Sequence, residues 1–110
     1  MTYRVSVSEP AERDADVIYA WLNQRSPQGA GRWWKAFLAA LEKLQEHAGG
    51  LALAPEADHF EEPLRQVLFK TRRGRTYRAM FVIRGRIVHV LRVRGAGQDR
   101  VGRDEIELPD

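Results

Sequence analysis

Apolar residues fall at every second position in Tyr3-Arg4-Val5-Ser6-Val7-Ser8, the period of a strand, with Tyr3, Val5 and Val7 on one face. Ser8 then offers an N-cap. Glu9 and Glu12 sit where a helix start favours anions, and Pro10 fits a first turn. The helix predicted here runs to about Asn23, with Ala11, Ala15, Ile18 and Leu22 as its apolar stripe and Trp21 at the edge. Ser26-Pro27 repeats the start signal. Beyond it Ala30, Trp34, Phe37, Leu41, Leu44 and Ala48 recur at the spacing of one helical face, and Gly49-Gly50 ends the run. Successive helical residues diverge by about 100°, so Trp33 is expected to be partly exposed or to pack on the first helix. The two helices are nearly contiguous and should form an antiparallel hairpin. Residues 51–63, with Pro55, Pro63 and four acids, read as an irregular connection.

From Leu64 onward the period is two. Leu64–Lys70, Thr76–Ile83 and Arg86–Arg94 read as strands, the first two joined by a turn centred on Gly74. The loop around Gly85 sets the register of the last pair. Two loop residues would oppose Arg78 to Leu91 and Tyr77 to Arg92, mixing charge with core. Three loop residues sort the faces: Tyr77, Ala79, Phe81, Ile83, Ile87, His89, Leu91 and Val93 on one side, Arg78, Met80, Val82, Val88, Val90, Arg92 and Arg94 on the other. The second arrangement is the expectation. It sets Arg78 beside Arg92 on the face away from the helices and makes His89 a core residue. The element order is β-α-α-β-β-β, an α+β single domain over residues 1–110 in which a helical hairpin packs on a four-stranded sheet.

Charge changes the picture of that sheet. Residues 64–98 hold ten basic side chains, all arginine except Lys70, and no acid. Residues 1–63 hold six basic and ten acidic side chains, and residues 99–110 two basic and five acidic. A field of clustered arginines suits phosphates or an acidic partner segment. Arg65, Arg78, Arg92 and Arg94 are the candidate target- or phosphate-binding residues. The acidic tail Asp104–Asp110 has the charge to fold back across this face and neutralise part of it. Gly95-Ala96-Gly97 reads as a flexible strand exit, with a backbone anion nest as the sharper alternative. The absence of cysteine excludes disulfides, thiolate metal sites and a cysteine nucleophile, and His47, His59 and His89 lack metal-ligand spacing. No apolar run approaches the ~20 residues of a membrane span, and a cytoplasmic protein without cofactor or metal is expected.

Arg75-Thr76-Tyr77-Arg78-Ala79-Met80-Phe81-Val82-Ile83 and Ile87-Val88-His89-Val90-Leu91-Arg92-Val93-Arg94-Gly95, after a strand and a helical hairpin with an aromatic second helix, resemble the RelE/ParE superfamily of type II toxin–antitoxin toxins, also called plasmid-stabilisation proteins. The resemblance implies a curved, mainly antiparallel sheet carrying the hairpin. It implies neutralisation by a cognate antitoxin with an acidic segment. It also implies one of two targets: RelE-like members cut mRNA in the ribosomal A site, and ParE-like members poison DNA gyrase. Arg78 matches an arginine that is functional in the RNase branch and would be catalytic in an endonuclease. The second functional arginine of that branch meets Gly95-Ala96-Gly97-Gln98 here, its tyrosine has no counterpart after Tyr77, and its lysine pair is only loosely echoed by Arg65 and Lys70. RNA cleavage needs a proton acceptor and a proton donor, and arginine stays protonated. The resemblance therefore favours a gyrase poison, with the endonuclease as the alternative.

Overall fold

A computed structural model describes residues 2–95, 98 and 100–110. Strands β1 (Arg4–Val7), β2 (Arg65–Phe69), β3 (Tyr77–Arg84) and β4 (Ile87–Gly95) form one sheet in the order β1-β4-β3-β2. β1 runs parallel to β4, and the other two pairings are antiparallel. Helices α1 (Glu9–Arg25) and α2 (Pro27–His47) lie between β1 and β2 in sequence and cover one face of the sheet. The expected α+β architecture is the observed one.

Ser26 alone joins the helices. Its N–H donates to the Leu22 carbonyl at the end of α1, and its Oγ accepts from the Gly29 N–H at the start of α2. Ser8 caps α1 in the same way, accepting from the Ala11 N–H. A 3-10 turn over Ala48–Gly50 follows α2. The connection expected to be irregular holds a second 3-10 turn, Pro55–His59.

The buried stripe of α2 differs from the expected one at two positions, Trp33 replacing Trp34 and Ala40 replacing Leu41. Ala30, Trp33, Phe37, Ala40 and Leu44 are buried, and Trp33 is only 2% exposed. Trp33 stacks on Phe37 at 5.5 Å between ring centroids and packs against Phe69 and Tyr77 of the sheet. Trp34 is half-buried and meets Tyr19 of α1 edge to face. Both stripes have 3,4 spacing and share Ala30, Phe37 and Leu44. Aromatic residues at the far end of β2 and β3 decide between them, and the period of α2 does not contain that information.

The register of β3 and β4 also differs. The turn has two residues, Gly85-Arg86, so Arg84 opposes Ile87 and Ile83 opposes Val88. Gly85 has φ +61°, as the first central position of a type II′ hairpin turn requires. A β-bulge at Leu91 then shifts the pairing, so that Phe81 opposes Val90 and Met80 opposes Arg92. The bulge removes the mixing of charge and core that made a two-residue loop unattractive. Val88 and Val90 consequently face the helices with Ala79, Phe81 and Val93. His89 opposes Val82 on the other face, and Leu91 is buried there too, contrary to the core-side positions expected for both.

That other face is not open. Leu64, Met80, Val82 and Leu91 are buried beneath Ala54 from the 51–63 connection and Val101 and Ile106 from the C-terminal segment. The sheet is covered on both sides, by the hairpin on one and by irregular chain on the other.

Candidate functional site

β3 and β4 carry Arg78, Met80, Arg92 and Arg94 to the face turned away from the helices. Arg78 stands directly opposite Arg94, and Arg92 opposite Met80, so the bulge moves the expected Arg78–Arg92 neighbours one pair apart. Opposed like charges destabilise a sheet, and each of these arginines is neutralised from within the chain. Arg78 forms a two-pronged pair with Glu56, Nη1 to Oε1 at 2.7 Å and Nη2 to Oε2 at 2.5 Å, and Nη1 also donates to Gln66. Glu56 is 1% exposed and accepts a further bond from the Val101 N–H at 2.9 Å. Burial pushes its carboxyl upward, but the Arg78 hydrogen bonds, backbone N–H groups and the Arg78 charge outweigh it and hold the pKa at about 2.

Arg92 forms a second two-pronged pair, with Asp14 of α1, at 2.7 and 2.8 Å. Asp14 also accepts the Val93 N–H at 2.9 Å. The Asp14 hydrogen bonds raise the Arg92 guanidinium above its ordinary range against the opposing effect of burial. Arg92 further donates to the Glu105 carbonyl, and Arg94 donates to the Glu105 carboxylate at 2.8 Å. The Glu105 carboxyl lies below its ordinary value, first because it accepts the Gly102 N–H and then because of the two arginines. At the turn end of the same face Arg84 pairs with Glu62 and donates to the Pro109 carbonyl. The C-terminal segment thus lies across the basic face.

Arg65 is not brought together with the other three. It opposes Phe81 on the helix-facing side and donates to the Leu51 carbonyl at 2.6 Å. Ala96 and Gly97 of the suggested anion nest lie outside the described residues. Glu105 belongs to the acidic tail expected to fold back across this face. Asp14, Glu56 and Glu62 were not singled out by the sequence pattern, and their only signal there is the surplus of acid before the basic stretch.

This arrangement positions charge but supplies little acid–base chemistry. Arg78 already has its charge balanced by Glu56 and three of its five N–H donors engaged by Glu56 and Gln66. His89 shares the sheet face, yet it pairs with Val82, four residues along β3 from Arg78 and therefore about 13 Å away. Among the described residues no three His, Asp or Glu side chains cluster as a metal site.

A family model described as ParE toxin of type II toxin-antitoxin system, parDE, matches residues 5–100. The chain belongs to this family of toxins. It is 33% identical over 94 residues to Toxin RelE1 of Caulobacter vibrioides, an alignment covering 84% of this chain and 92% of that one. It also shares its fold with a solved structure titled Chromosomal ParDE TA system from P. aeruginosa, with a TM-score of 0.65 and 22% identity over 86% of this chain and 96% of the other. No helix among the toxin's described residues is long and apolar enough to cross a membrane.

Proposed function

We propose that this toxin arrests growth in the cytoplasm by binding and inhibiting DNA gyrase, without a chemical step of its own and without a cofactor, and that a cognate antitoxin with an acidic segment neutralises it. The observation that carries the reading is the engagement of Arg78. The one position matching the RNase-like branch is tied to a carboxylate that is itself 1% exposed, under the chain's own C-terminal segment. Freeing it for RNA would leave Glu56 charged, buried and unpaired, at a cost of about 3–5 kcal/mol. The match to the ParE family model supports the same target class.

Of the four candidate arginines, Arg92 and Arg94 suit target or antitoxin contact, because their carboxylates come from the surface segment around Glu105 and from Asp14 at the edge of α1. An incoming acidic segment can replace Glu105 with little loss, since exchanging one carboxylate for another preserves the hydrogen bonds. Arg65 and Arg78 serve the fold, one holding the Leu51 carbonyl and the other Glu56.

The alternative, a ribosome-dependent mRNA endonuclease, keeps Arg78 as its catalytic residue and draws support from the likeness to Toxin RelE1. Two reconstituted assays separate the readings. Purified toxin should inhibit gyrase supercoiling in proportion to its amount and leave mRNA on programmed ribosomes intact. Ribosome-dependent cleavage with unaffected supercoiling would install the endonuclease.

A further inference from the structure

At the opposite end of the molecule from Glu62 and Arg84, the β2–β3 turn faces the junction of the two helices across a cavity of about 600 Å³. Its electrostatics are unlike those of the sheet face. Arg72, Arg73 and Arg75 approach from the turn and Arg32 from the first turns of α2, and no acidic residue lines the space. All four are exposed, and among the described residues none of them makes an ion pair.

The start of α2 adds to this excess. A helix N-terminus carries partial positive charge, which α1 balances with Glu9 and Glu12 in its first turn. α2 has no acid in its first turn. It has a cation there instead: the Cβ that Gly29 lacks would lie 3.8 Å from Arg32 Nη2, so the guanidinium lies close against the helix start. A 21-residue helix whose positive end is faced by arginines is electrostatically uncompensated within the described chain.

Two tryptophans complete the cavity. Trp33 forms part of its wall and is 2% exposed, and its indole N–H has no hydrogen-bond partner among the described residues. Buried donors are normally paired. Trp21 stands at the rim, 47% exposed, with the Arg25 guanidinium stacked 3.6 Å from its ring centroid. A half-exposed indole with an ordered cation beside it is a surface on which a flat aromatic ring can stack.

We propose that this cavity binds adjacent phosphate groups bearing an aromatic base, as in a nucleoside diphosphate or two successive phosphates of a single-stranded nucleic acid. One carboxylate would meet one arginine and leave the others unbalanced, whereas linked phosphates present several charges and planar pairs of oxygens to guanidinium forks. The volume lies within the ~300–1,000 Å³ range of small-ligand sites. The site adjoins Tyr77, whose neighbour Arg78 points to the opposite face of the sheet, and a ligand here does not depend on which target the toxin has.

The test is calorimetric titration of the full chain at physiological ionic strength with inorganic pyrophosphate, ADP, a ten-nucleotide single strand and a poly-glutamate peptide. ADP or the single strand should bind more tightly than poly-glutamate. Arg32→Ala, and Arg72→Ala combined with Arg73→Ala, should each weaken binding about ten- to a hundredfold, the effect of a lost charge-assisted contact. Trp21→Ala removes the exposed stacking ring, and should weaken binding about five- to a hundredfold. Amide shift changes should centre on residues 25–33 and 71–77. Saturation by ADP identifies a free nucleotide as the source, while binding of the single strand alone identifies nucleic acid; either supports the site. Binding of poly-glutamate as tight as that of ADP, no binding of any phosphate probe at millimolar concentration, or affinities unchanged in all three variants would overturn it.

Discussion

At Glu56 a carboxylate is held inside the protein by two guanidinium nitrogens and a backbone N–H. Its pKa falls from 4.5 to about 2 on folding, so between those values the unfolded chain binds more protons than the native one. The stabilisation is therefore fully present above about pH 4.5 and lost as pH falls through 2. The depression corresponds to about 3 kcal/mol. Thermal melts from pH 7 to pH 2 should show Glu56→Gln much less stable than the parent at neutral pH, with the gap closing as the acid limit is approached. Parallel pH curves for the two proteins would contradict the assignment. The two adjacent tryptophans give a second residue-scale prediction. Trp33→Ala should cost about 3–5 kcal/mol, as for other large buried aromatics. Trp34→Ala, from a half-buried site against Tyr19, should cost about 1–2 kcal/mol. Urea melts that rank the pair the other way would place the wrong ring in the core.

Between elements, the junction of α1 with β4 depends on Asp14. β1 ends its pairing at Val90, and beyond that point the edge of β4 is taken over by α1: Ser8 donates to the Val90 and Leu91 carbonyls, and Asp14 accepts the Val93 N–H. Asp14 thus closes the strand edge just past the bulge while neutralising Arg92. Asp14→Ala should destabilise the protein by about 2 kcal/mol, less than a fully buried pair because both partners remain partly exposed. Hydrogen exchange at Val93 should quicken well beyond the global change, and unchanged protection there would contradict the edge role. These elements also show what was legible in the sequence. Caps and proline placed both helices within a few residues, because such signals act over one turn. Period two found every strand. The bulge at Leu91 was not legible, because no glycine or proline marks it and its benefit appears only when two strands are laid together. The choice of Trp34 over Trp33 failed for the same reason, since Phe69 and Tyr77 from distant strands bring Trp33 into the core instead.

Across the whole molecule, charge is zoned along the sequence and cancelled in space. The basic stretch 64–98 is flanked by acid-rich segments, and Asp14, Glu56, Glu62 and Glu105 from those flanks neutralise Arg92, Arg78, Arg84 and Arg94. The candidate arginines were legible as a cluster, and so was the acidic tail that supplies Glu105; Asp14, 78 positions from Arg92, and Glu56 and Glu62 were not. Of the basic residues of this stretch without an ion pair among the described residues, Lys70, Arg72, Arg73 and Arg75 gather around the β2–β3 turn, while Arg65 lies on β2 and Arg86 in the β3–β4 turn. Under the proposed function Arg78 serves the fold rather than a reaction. Replacing both members of its pair tests this most directly, since a lone substitution leaves a buried charge behind. In Glu56→Gln combined with Arg78→Met, the amide still accepts the Val101 N–H and no ion is left unpaired. This folded double variant should arrest growth on induction and inhibit gyrase supercoiling within about threefold of the parent, an energetic difference under about 1 kcal/mol. A double variant that melts like the parent but has lost its toxicity would contradict that role for Arg78.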